Sequence, residues 1–336
     1  MMRPVLFSVP VGGALVRFPA YGAFVALGFV LGIGLFLRSG RREGFDGVRL
    51  QDLAFSSVAL GLVGARLAFV LVNARAFIDA CWPGGHDAAG DWLRGGCWAP
   101  MRFWDGGLVF YGGAVGVGAV IWSFGRREGW SLLRLGDLAA PSVALGHAVG
   151  RIGCLMAGCC YGRACGEPWA IRFGPGSVAF DDALVGGRLG PGAVATAPLH
   201  PTQIYEALGE LAIFVGLVML RRRWAAAGHP GSVSPGSEAA ATARAAAPAT
   251  PGRLLGVYLL AYALLRFGVE LFRGDASRGF LFRWAPPAVG SAVGLGPHDA
   301  IVLSTSQAVS LLLGAAAAVG LARRRARKPA GRAIPR

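Results

Sequence analysis

Charged residues are scarce in this sequence. They make up 15% of its 336 residues, whereas a soluble domain of ordinary composition carries about 25%. Hydrophobic residues account for 54% of the chain, and the mean hydropathy is +0.52. This balance excludes an ordinary soluble domain and indicates a polytopic membrane protein. Lysine is also nearly absent, since Lys328 is the single lysine beside 32 arginines, but this skew excludes no class of function.

Two further features are missing. Residues 1–22 lack the succession of charged start, apolar core and small-residue cleavage site that defines a signal peptide, so we expect none there. No internal repeat of the kind found in many transporters is visible. The net charge of +15 would suit nucleic-acid binding, but much of the excess lies in short clusters beside apolar runs. Such clusters are typical of membrane topology and exclude a groove-binding patch.

Seven apolar stretches are long enough, some narrowly, to cross the roughly 30 Å core of a bilayer, which takes about 20 helical residues. They are Pro19–Leu37, Leu50–Val72, Gly107–Phe124, Leu135–Leu155, Ile204–Leu220, Leu254–Phe272 and Ile301–Ala322. The fourth is the weakest, because Asp137 and Pro141 lie near its start and His147 lies within it. We therefore predict an all-α integral membrane protein, a bundle of about seven transmembrane helices.

Arginine placement predicts the orientation of this bundle. One set of segments holds 19 Lys and Arg in 70 residues, namely loops 38–49, 125–135 and 221–253 and the tail 323–336. The alternate set holds 12 in 138 residues, namely the head 1–20 and loops 73–106, 151–203 and 273–303. Because cytoplasmic loops carry the excess of basic residues, the N-terminus is predicted to lie outside, in the periplasm, and the C-terminus in the cytoplasm.

The same pattern organises the chain as a single transmembrane domain over residues 1–322. Segment 225–252 is rich in Ala, Gly, Pro and Ser and cannot bury a core, so we expect a flexible cytoplasmic linker. Residues 323–336 are expected to form a basic cytoplasmic tail near anionic lipid headgroups.

Several charged residues remain inside the apolar stretches, namely Arg66, Glu206, Glu210, Arg266 and Glu270. A charge at the bilayer centre costs about 2.5–3.5 kcal/mol on insertion scales, so such residues usually face a polar interior and mark a site. Arg266, Glu270 and Arg273 follow at i, i+4 and i+7, one face of a helix. Neutralising pairs that fasten helices are the alternative, above all for Arg66 and Glu210. Two cations beside Glu270 leave a surplus of positive charge, which suits a phosphate.

Four motifs lie on or near the outer half of the predicted spans. They are DGGLVFYGGAVG (105–116), GHAVGRIGCLMAGCCYG (146–162), HPTQIYEALGE (200–210) and LLRFGVELFRGD (264–275). In this order they resemble motifs of the prolipoprotein diacylglyceryl transferase family, which read like NGGMSFHGG, GRIGNFxNxExxG, HPSQLYE and RFxVEFFR. FPAYGAFVALGFVLG, GARLAFVLVN and STSQAVSLLLG resemble three further spans of the family, so the resemblance covers nearly the whole chain outside the loops.

The resemblance implies an enzyme with one transmembrane catalytic domain in the bacterial cytoplasmic membrane, its active site towards the outer leaflet. Such an enzyme transfers the diacylglyceryl group of phosphatidylglycerol to the thiol of the lipobox cysteine of a preprolipoprotein. It releases glycerol 1-phosphate in the first step of lipoprotein maturation. The resemblance implies no metal and no organic cofactor. From the charge distribution we expect no nucleic-acid partner, and we expect a monomer.

The residue chemistry suits this reaction. The nucleophile belongs to the substrate, so no serine triad is required, and none is found. A thiol attacks as its thiolate, and nearby cations lower its pKa. The leaving group is a phosphate ester, which arginine forks hold best. Arg151, Arg266 and Arg273 are placed for both tasks.

The family's functional residues carry over position by position. Arg151 matches the signature arginine, Arg266 the essential arginine of the sixth span, and Tyr21 a tyrosine of the first span. With Tyr111, these are the predicted catalytic residues. The positions that match the phosphatidylglycerol-binding motifs are Gly150, Arg151, Gly153, Gly162, His200, Pro201, Gln203, Tyr205, Glu206, Arg266, Glu270 and Arg273. The matched glycines are expected to allow close backbone approach.

Three positions depart from the family pattern. Tyr111 stands where the family has histidine, and Cys154 and Cys159 stand where it has asparagine and glutamate. A tyrosine can hydrogen-bond a phosphate, but a neutral phenol is a poor base near pH 7. We therefore favour arginine-based stabilisation of the thiolate. His147, one turn before Arg151, is either a replacement imidazole or a structural residue.

All six cysteines lie on the predicted outer side, where disulfides form. Cys81 and Cys97 share one loop and can pair. The remaining four cluster within twelve residues, at Cys154, Cys159, Cys160 and Cys165. Disulfides, free packed thiols, a metal or iron–sulfur site and a covalent lipid carrier are the competing interpretations, and the spacing lacks the paired C-x-x-C of most zinc sites.

Two other classes of function stay open at this stage. One is a lipid or anion transporter with the charged stripe as its substrate path. The lack of repeats and the concentration of charge on the outer half disfavour it. The other is a related lipid-handling transferase with a different acceptor, which the residues Tyr111 and Cys159 keep open.

Overall fold

The computed structural model describes residues 5–11, 14–79, 81, 96–102, 107–190, 192–227, 250–275 and 304–326. Its helices are α1 (Ala20–Arg42), α2 (Gly47–Val72), α3 (Ala74–Asp79), α4 (Phe110–Arg127), α5 (Leu132–Ala157), α6 (Val178–Val185), α7 (Thr202–Ala227), α8 (Arg253–Glu270) and α9 (Thr305–Ala326). A 3-10 helix covers Gly96–Met101. Antiparallel strands β1 (Val5–Val11) and β2 (Ala14–Pro19) precede α1. The sequence did not predict this hairpin, which is a small addition to a helical fold.

A helix overlaps each of the seven predicted apolar stretches. Five of these helices are long and apolar enough to cross a membrane, namely α1, α2, α5, α7 and α9. The other two, α4 and α8, are each 18 residues long. They miss this standard because α4 ends in Arg126 and Arg127, and α8 contains Arg253, Arg266 and Glu270. The architecture is that of a helical integral membrane protein.

Several predicted segments lie partly outside the described residues. This holds for most of the linker 225–252, for parts of the loops 73–106 and 273–303, and for most of the tail 323–336. At both ends of the linker the structure describes ordered backbone, because α7 continues to Ala227 and α8 begins at Arg253. Likewise α9 extends to Ala326 and so includes the first four residues of the predicted tail.

The chain divides into two compact units, one formed by residues 1–38 and 136–336 and the other by Ser39–Leu135. In the second unit α2 and α4 approach so closely that side chains are excluded from the contact. A Cβ on Gly112 would clash with the carbonyl oxygen of Gly64, and a Cβ on Gly64 would clash with that of Gly112. A Cβ on Gly116 would clash with the carbonyl oxygen of Leu60. Small residues at such contacts let membrane helices pack backbone to backbone.

Arg66 of α2 has a structural role in this unit. Its guanidinium donates to three carbonyl oxygens, those of Ala99 (2.6 Å), Pro100 (2.9 Å) and Gly107 (3.1 Å). Its side chain lies over the Phe69 ring, 5.4 Å from the centroid. A disulfide joins Cys81 to Cys97, a pairing that their shared loop makes possible. The charge of Arg66 therefore fastens a loop to a membrane helix.

In the first unit the hydrogen bonds of Asp137 explain how a charged residue is accommodated near the start of the fourth predicted span. Asp137 is buried, and its carboxylate accepts hydrogen bonds from the backbone N–H groups of Gly252 (2.6 Å) and Leu255 (2.8 Å). Gly252 is the N-cap of α8, so Asp137 satisfies donors that the helix start leaves unpaired and matches its positive dipole end. The carboxylate thus docks α5 against α8. Ala140, Ala144, Leu217, Leu254 and Tyr258 form the core between α5, α7 and α8.

The loop between α5 and α7 is an ordered layer that covers the helix ends of this unit. Tyr161, Phe173 and Ala179 form its own buried cluster. Residue 162 pairs with residue 273 beyond α8, and the N–H of Gly162 donates to the carbonyl of His200 (3.0 Å). These bonds hold the signature turn, the start of α7 and the end of α8 side by side.

Candidate active site

Two guanidinium groups converge on one buried carboxylate in the first unit. Arg151 of α5 donates from Nη2 to Oε1 of Glu206 at 2.8 Å. Arg266 of α8 lies 3.5 Å from the other oxygen, Oε2, through Nη1. Glu206 is 2% exposed, so α7 places a single anion between cations from two neighbouring helices. The structure brings together the two arginines that the sequence predicted to share a site.

A second carboxylate, that of Glu210, positions Arg151 through His147. The Nε–H of Arg151 donates to Nε2 of His147 at 3.1 Å, and His147 Nδ1 lies 2.7 Å from Glu210 Oε1. Because Nε2 accepts a hydrogen bond from the Nε–H of Arg151, the ring proton lies on Nδ1, which donates a hydrogen bond to Glu210. Both nitrogens of His147 are thus engaged. This arrangement makes His147 a positioning residue for Arg151 and leaves it no free lone pair to act as a replacement base.

Around Arg273 the structure corrects the predicted surplus of positive charge. Arg266 Nη2 lies 2.8 Å from Glu270 Oε2, and Arg273 Nη1 lies 3.7 Å from the same oxygen. Arg273 also binds Asp275 through two contacts of 2.8 and 2.5 Å. With Glu206 and Glu210, four carboxylates lie among three guanidiniums in the described part of this cluster. The prediction of surplus charge was wrong because it counted only α8 and its immediate end.

The three cysteines of the signature lie on a tight turn beside Arg151. The helix α5 ends at Ala157, and Gly158 and Cys160 then take positive φ angles of 69° and 54°. The Sγ atoms of Cys154, Cys159 and Cys160 all lie within 4.8 Å of one another. Nη1 of Arg151 is 4.0 Å from Sγ of Cys154.

The four clustered cysteines carry free thiols in the structure, so the disulfide interpretation of this cluster is not supported there. Cys165 lies apart from the other three and is buried in the covering layer, where its N–H donates to the carbonyl of Pro198 (2.9 Å). The twelve-residue spacing did not reveal this separation, because the turn at Gly158 and Cys160 folds only three of the sulfurs towards one point.

Two residues at the start of α7 hold the turn that carries Cys154, Cys159 and Cys160, hereafter the cysteine turn. Thr202 donates from Oγ1 to the carbonyl of Cys160 at 2.6 Å, and Gln203 donates from Nε2 to the carbonyl of Cys159 at 2.7 Å. Gln203 is 1% exposed, and among the described residues its Oε1 has no hydrogen-bond partner. A buried acceptor in this state is uncommon.

The three thiols differ in acidity. Hydrogen bonds from the thiols of Cys154 and Cys159 hold the pKa of Cys160 far below its usual range, and the charges of Arg151 and Arg273 lower it further. Hydrogen bonds with Cys154 and Cys160 raise the pKa of Cys159, and burial raises it further. Of the three thiols, that of Cys160 is therefore the one that its surroundings make most acidic.

His200 and Tyr205 form an aromatic rim next to the cysteine turn. Trp169 donates from Nε1 to the hydroxyl of Tyr205 at 2.8 Å, and that hydroxyl lies 3.1 Å from Nδ1 of His200. The Tyr205 hydroxyl can accept from Trp169 and donate its own proton to Nδ1 of a neutral His200 at the same time. Burial lowers the pKa of His200, and the charge of Arg163 lowers it further. Phe272 packs against both rings.

The signature glycines differ in what they contact. A Cβ on Gly153 would lie 3.1 Å from the carbonyl oxygen of Tyr21 and 3.2 Å from Phe24 Cβ, and one on Gly162 would lie 2.5 Å from His200. Close approach is therefore required at these two. At Gly150 nothing lies within 4 Å of the added Cβ, so no neighbouring backbone approaches it, and its assignment to the lipid site stays a prediction.

The two predicted catalytic tyrosines belong to different units. Tyr21 lies in the first turn of α1 near Arg151 and the cysteine turn, and 45% of it is exposed. Tyr111 lies in the first turn of α4 in the other unit, 55% exposed, with its ring against Phe110. Its role stays a prediction from the resemblance.

Known proteins have amino-acid sequences similar to that of this chain. The family model described as prolipoprotein diacylglyceryl transferase matches residues 4–323. The chain belongs to the prolipoprotein diacylglyceryl transferase family. It is therefore a multi-pass membrane protein of helical architecture, as five apolar helices indicate independently.

Three relatives illustrate the range of this diacylglyceryl transferase family. The phosphatidylglycerol–prolipoprotein diacylglyceryl transferase of Clostridium tetani is 25% identical over 274 residues, 82% of this chain and 86% of the relative. That of Photorhabdus laumondii subsp. laumondii is 30% identical over 291 residues, 82% of this chain and 83% of the relative. The second such transferase of Clostridium perfringens is 26% identical over 294 residues, 88% of this chain and 86% of the relative.

Sequence reasoning missed two residues of the candidate site and one pairing between its helices. Ser306 of α9 accepts from Arg266 Nη2 at 3.1 Å, and Asp275 binds Arg273. Only Asp275 had a local signal, since it lies two residues from an arginine of a motif. The pairing of His147 with Glu210 joins α5 to α7, and no spacing within one segment predicts it.

Proposed function

We propose that this chain transfers the diacylglyceryl group of phosphatidylglycerol to the lipobox cysteine thiol of a preprolipoprotein, with release of glycerol 1-phosphate. The observation that supports this most strongly is the convergence of Arg151 and Arg266 on Glu206, at the end of the helices where the family signature lies. Two guanidiniums at one point provide the paired, planar donors that a phosphate diester accepts.

In this proposal Glu206 holds the two arginines ready for the lipid phosphate. A guanidinium has five N–H groups, and the contacts of Arg151 within the described residues engage one each on Nε, Nη1 and Nη2. Its remaining two N–H groups bind the phosphate oxygens. Arg266 binds the same phosphate from α8. Arg273, just beyond the end of α8, adds a further positive charge near the phosphate. Buried donors that are fixed in advance stabilise the developing charge of the leaving group most effectively.

The chemical step then forms one bond and breaks one. The thiolate sulfur of the acceptor attacks the glyceryl carbon that carries the phosphate ester. The carbon–sulfur bond forms while the carbon–oxygen bond breaks, and the electron pair leaves with glycerol 1-phosphate. Arg151 and Arg266 stabilise both the attacking thiolate and the departing phosphate.

Gln203 is the residue we assign to the glycerol end of the headgroup. Its buried Oε1 lacks a partner among the described residues, and a hydroxyl of the headgroup supplies the missing donor. His200 and Tyr205 border the site with an apolar and hydrogen-bonding rim, suited to the boundary between lipid and water.

The topology of the proposal comprises seven membrane spans in one catalytic domain. The helices α4 and α8 complete the five apolar ones, and burial of Arg266 and Glu270 among α7 and α8 makes a charged α8 compatible with crossing. The N-terminus lies in the periplasm, the C-terminus in the cytoplasm, and the active site towards the outer leaflet. One chain carries the whole arginine cluster, so we propose that it acts as a monomer.

Complementation tests the proposal. A strain depleted of its own diacylglyceryl transferase receives this chain, and the mobility of a mature lipoprotein is followed. We expect rescue by the wild-type chain and by Arg188→Ala, which removes an exposed arginine of the same loop layer. Arg151→Ala and Arg266→Ala should abolish rescue at equal membrane expression. Failure of the wild-type chain at good expression would contradict the proposed acceptor, and rescue by both arginine variants would contradict the site.

A further inference from the structure

The cysteine turn is the feature that the arginine chemistry leaves unexplained. Three half-buried sulfurs, of Cys154, Cys159 and Cys160, gather within 4.8 Å of one another. Packing alone does not require three thiols at one point, and in an oxidising compartment such a group is a hazard unless something protects it. The turn is also held in an unfavourable backbone conformation, with Cys160 at a φ of 54°, which the surrounding structure must impose.

We propose that these three cysteines bind one Zn²⁺ ion and that its fourth coordination position receives the acceptor thiol. This inference rests on the proposed function for the acceptor, but the metal site itself does not depend on it. Catalytic zinc sites have three protein ligands and one open position, and a three-sulfur turn beside the arginine cluster supplies that number.

The geometry fits a zinc ion with little movement. Zn–S bonds of about 2.3 Å in a tetrahedral arrangement place the sulfurs about 3.8 Å apart, and the limit of 4.8 Å in the structure leaves only a small closure. The backbone of the turn is fixed by Thr202 and Gln203 through the carbonyls of Cys160 and Cys159. Cys159 N–H also donates to the carbonyl of Cys154 at 3.2 Å. Fixed ligands of this kind favour metal binding.

The charge of the surroundings is compatible with the ion. Three thiolates and one Zn²⁺ carry a net charge of −1, and the guanidinium of Arg151 lies beside one of the sulfurs. The contact of 4.0 Å between Arg151 Nη1 and Cys154 Sγ is then a hydrogen bond to a metal-bound sulfur, a common second contact at zinc–thiolate sites.

A zinc ion would also provide a means of deprotonating the acceptor thiol, which the departures from the family motifs remove. With tyrosine at residue 111, the chain lacks the imidazole of the family motif. A thiol that binds a metal ion is deprotonated outright, and its proton passes to water. The zinc-bound sulfur then attacks the glyceryl carbon, the carbon–oxygen bond to phosphate breaks, and the thioether product leaves the metal. No oxidant or reductant is needed.

Metal binding is the direct test. The full chain, purified in detergent under reduction and stripped with chelator, is titrated with Zn²⁺ and with Co²⁺ as an optical probe. We expect one ion per chain and sulfur-to-cobalt charge-transfer bands. Cys154→Ser, Cys159→Ser and Cys160→Ser should each weaken binding at least about tenfold, the scale of losing a supporting group, whereas Cys165→Ala should leave it unchanged. A variant that fails to fold is identified by the melting temperature of its metal-free form.

The opposite results are equally clear. Absence of stoichiometric metal, equal loss with Cys165→Ala, or two of the three thiols resisting alkylation until reduced would overturn the zinc site.

An activity assay separates this inference from the proposed function. Transfer to an acceptor peptide should fall on metal removal and return with Zn²⁺, while phosphatidylglycerol binding stays unchanged. Undiminished transfer by stripped protein would overturn the role of zinc and leave the transferase intact. Stoichiometric metal without any transfer would leave the metal site and overturn the transferase.

Discussion

At the scale of single residues, Glu206 is the centre of the site. It binds Arg151 and Arg266 at once, lies 3.7 Å from His147, and is 2% exposed. Its carboxylate therefore compensates cations that would otherwise stand unpaired in a membrane-embedded core. A buried charge left without its partner destabilises a protein by about 3–5 kcal/mol, so under the proposed function this residue links folding to substrate binding.

The substitution Glu206→Gln should lower both stability and activity. The amide keeps the shape of the side chain but removes the negative charge, so the two guanidiniums repel each other and lose their fixed orientation. We expect a clear fall in the melting temperature in detergent and loss of transfer. Glu167→Gln, at an exposed position in the covering layer, is the matched control and should change neither. A variant at residue 206 with wild-type melting temperature would show that the carboxylate is not the compensating charge.

His200 gives the site a dependence on pH. Its pKa is lowered by burial and by Arg163, so the folded state holds it neutral while the unfolded chain takes up a proton near pH 6.5. Above that pH both states are neutral and the residue has no effect. As pH falls below it, the unfolded state binds more protons and stability is lost. We expect the melting temperature of the wild type to drop more steeply on acidification than that of His200→Gln. Parallel curves would contradict this assignment.

Sequence predicted the residues of the site better than their partners. The contact between Arg266 and Glu270 follows from their i, i+4 spacing on one helix. The contacts of Arg151 with Glu206 and of His147 with Glu210 depend on how α5 and α7 are rotated and how far they are shifted against each other. Neither quantity can be predicted from the sequence of a single segment. The predicted surplus of positive charge was therefore wrong, because it left out the carboxylates of α7 and of Asp275.

At the scale of secondary structure, glycine decides how the helices meet. On α4, Gly112 lies against the backbone of α2 with no room for a side chain, whereas Gly118 has nothing within 4 Å of an added Cβ. Two glycines of one helix therefore have opposite tolerances. The apolar pattern predicted both helices to within a few residues, but it does not say which glycine faces a neighbour.

The pair Gly112→Ala and Gly118→Ala tests this contact. An added methyl group at residue 112 forces the helices apart, and overpacking of this kind costs about 1–3 kcal/mol. The same change at residue 118 meets open space and removes a flexible glycine from a helix, which is neutral or stabilising by up to about 1 kcal/mol. Thermal unfolding in detergent measures both. Equal melting temperatures for the two variants would contradict the close approach of α2 and α4.

At the scale of the whole molecule, the sequence established the helical membrane architecture and most helix positions. It did so because apolar runs and arginine clusters are local signals of membrane insertion. The N-terminal hairpin and the ordered layer between α5 and α7 were not predicted. Their stability depends on distant pairings, such as that of residue 162 with residue 273, and not on periodicity.

Reporter fusions test the proposed orientation. A fluorescent protein fused after Arg336 should fluoresce, because it folds in the cytoplasm. Alkaline phosphatase inserted at the exposed turn around Gly187 should be active, because it then lies in the periplasm. Reporters inserted within 228–249 should behave like the first. An active phosphatase at the C-terminus would contradict an odd number of spans with the N-terminus outside.

The central claim is that Arg151 and Arg266 act together on one lipid phosphate. A double-mutant cycle on phosphatidylglycerol binding to the purified chain tests it directly, with Arg151→Ala, Arg266→Ala and the double variant. Groups that share one ligand are coupled, so the double variant should bind little more weakly than the weaker single variant, with a coupling of about 0.5–3 kcal/mol. Losses that simply add, to within about 0.5 kcal/mol, would show two independent sites and contradict the account.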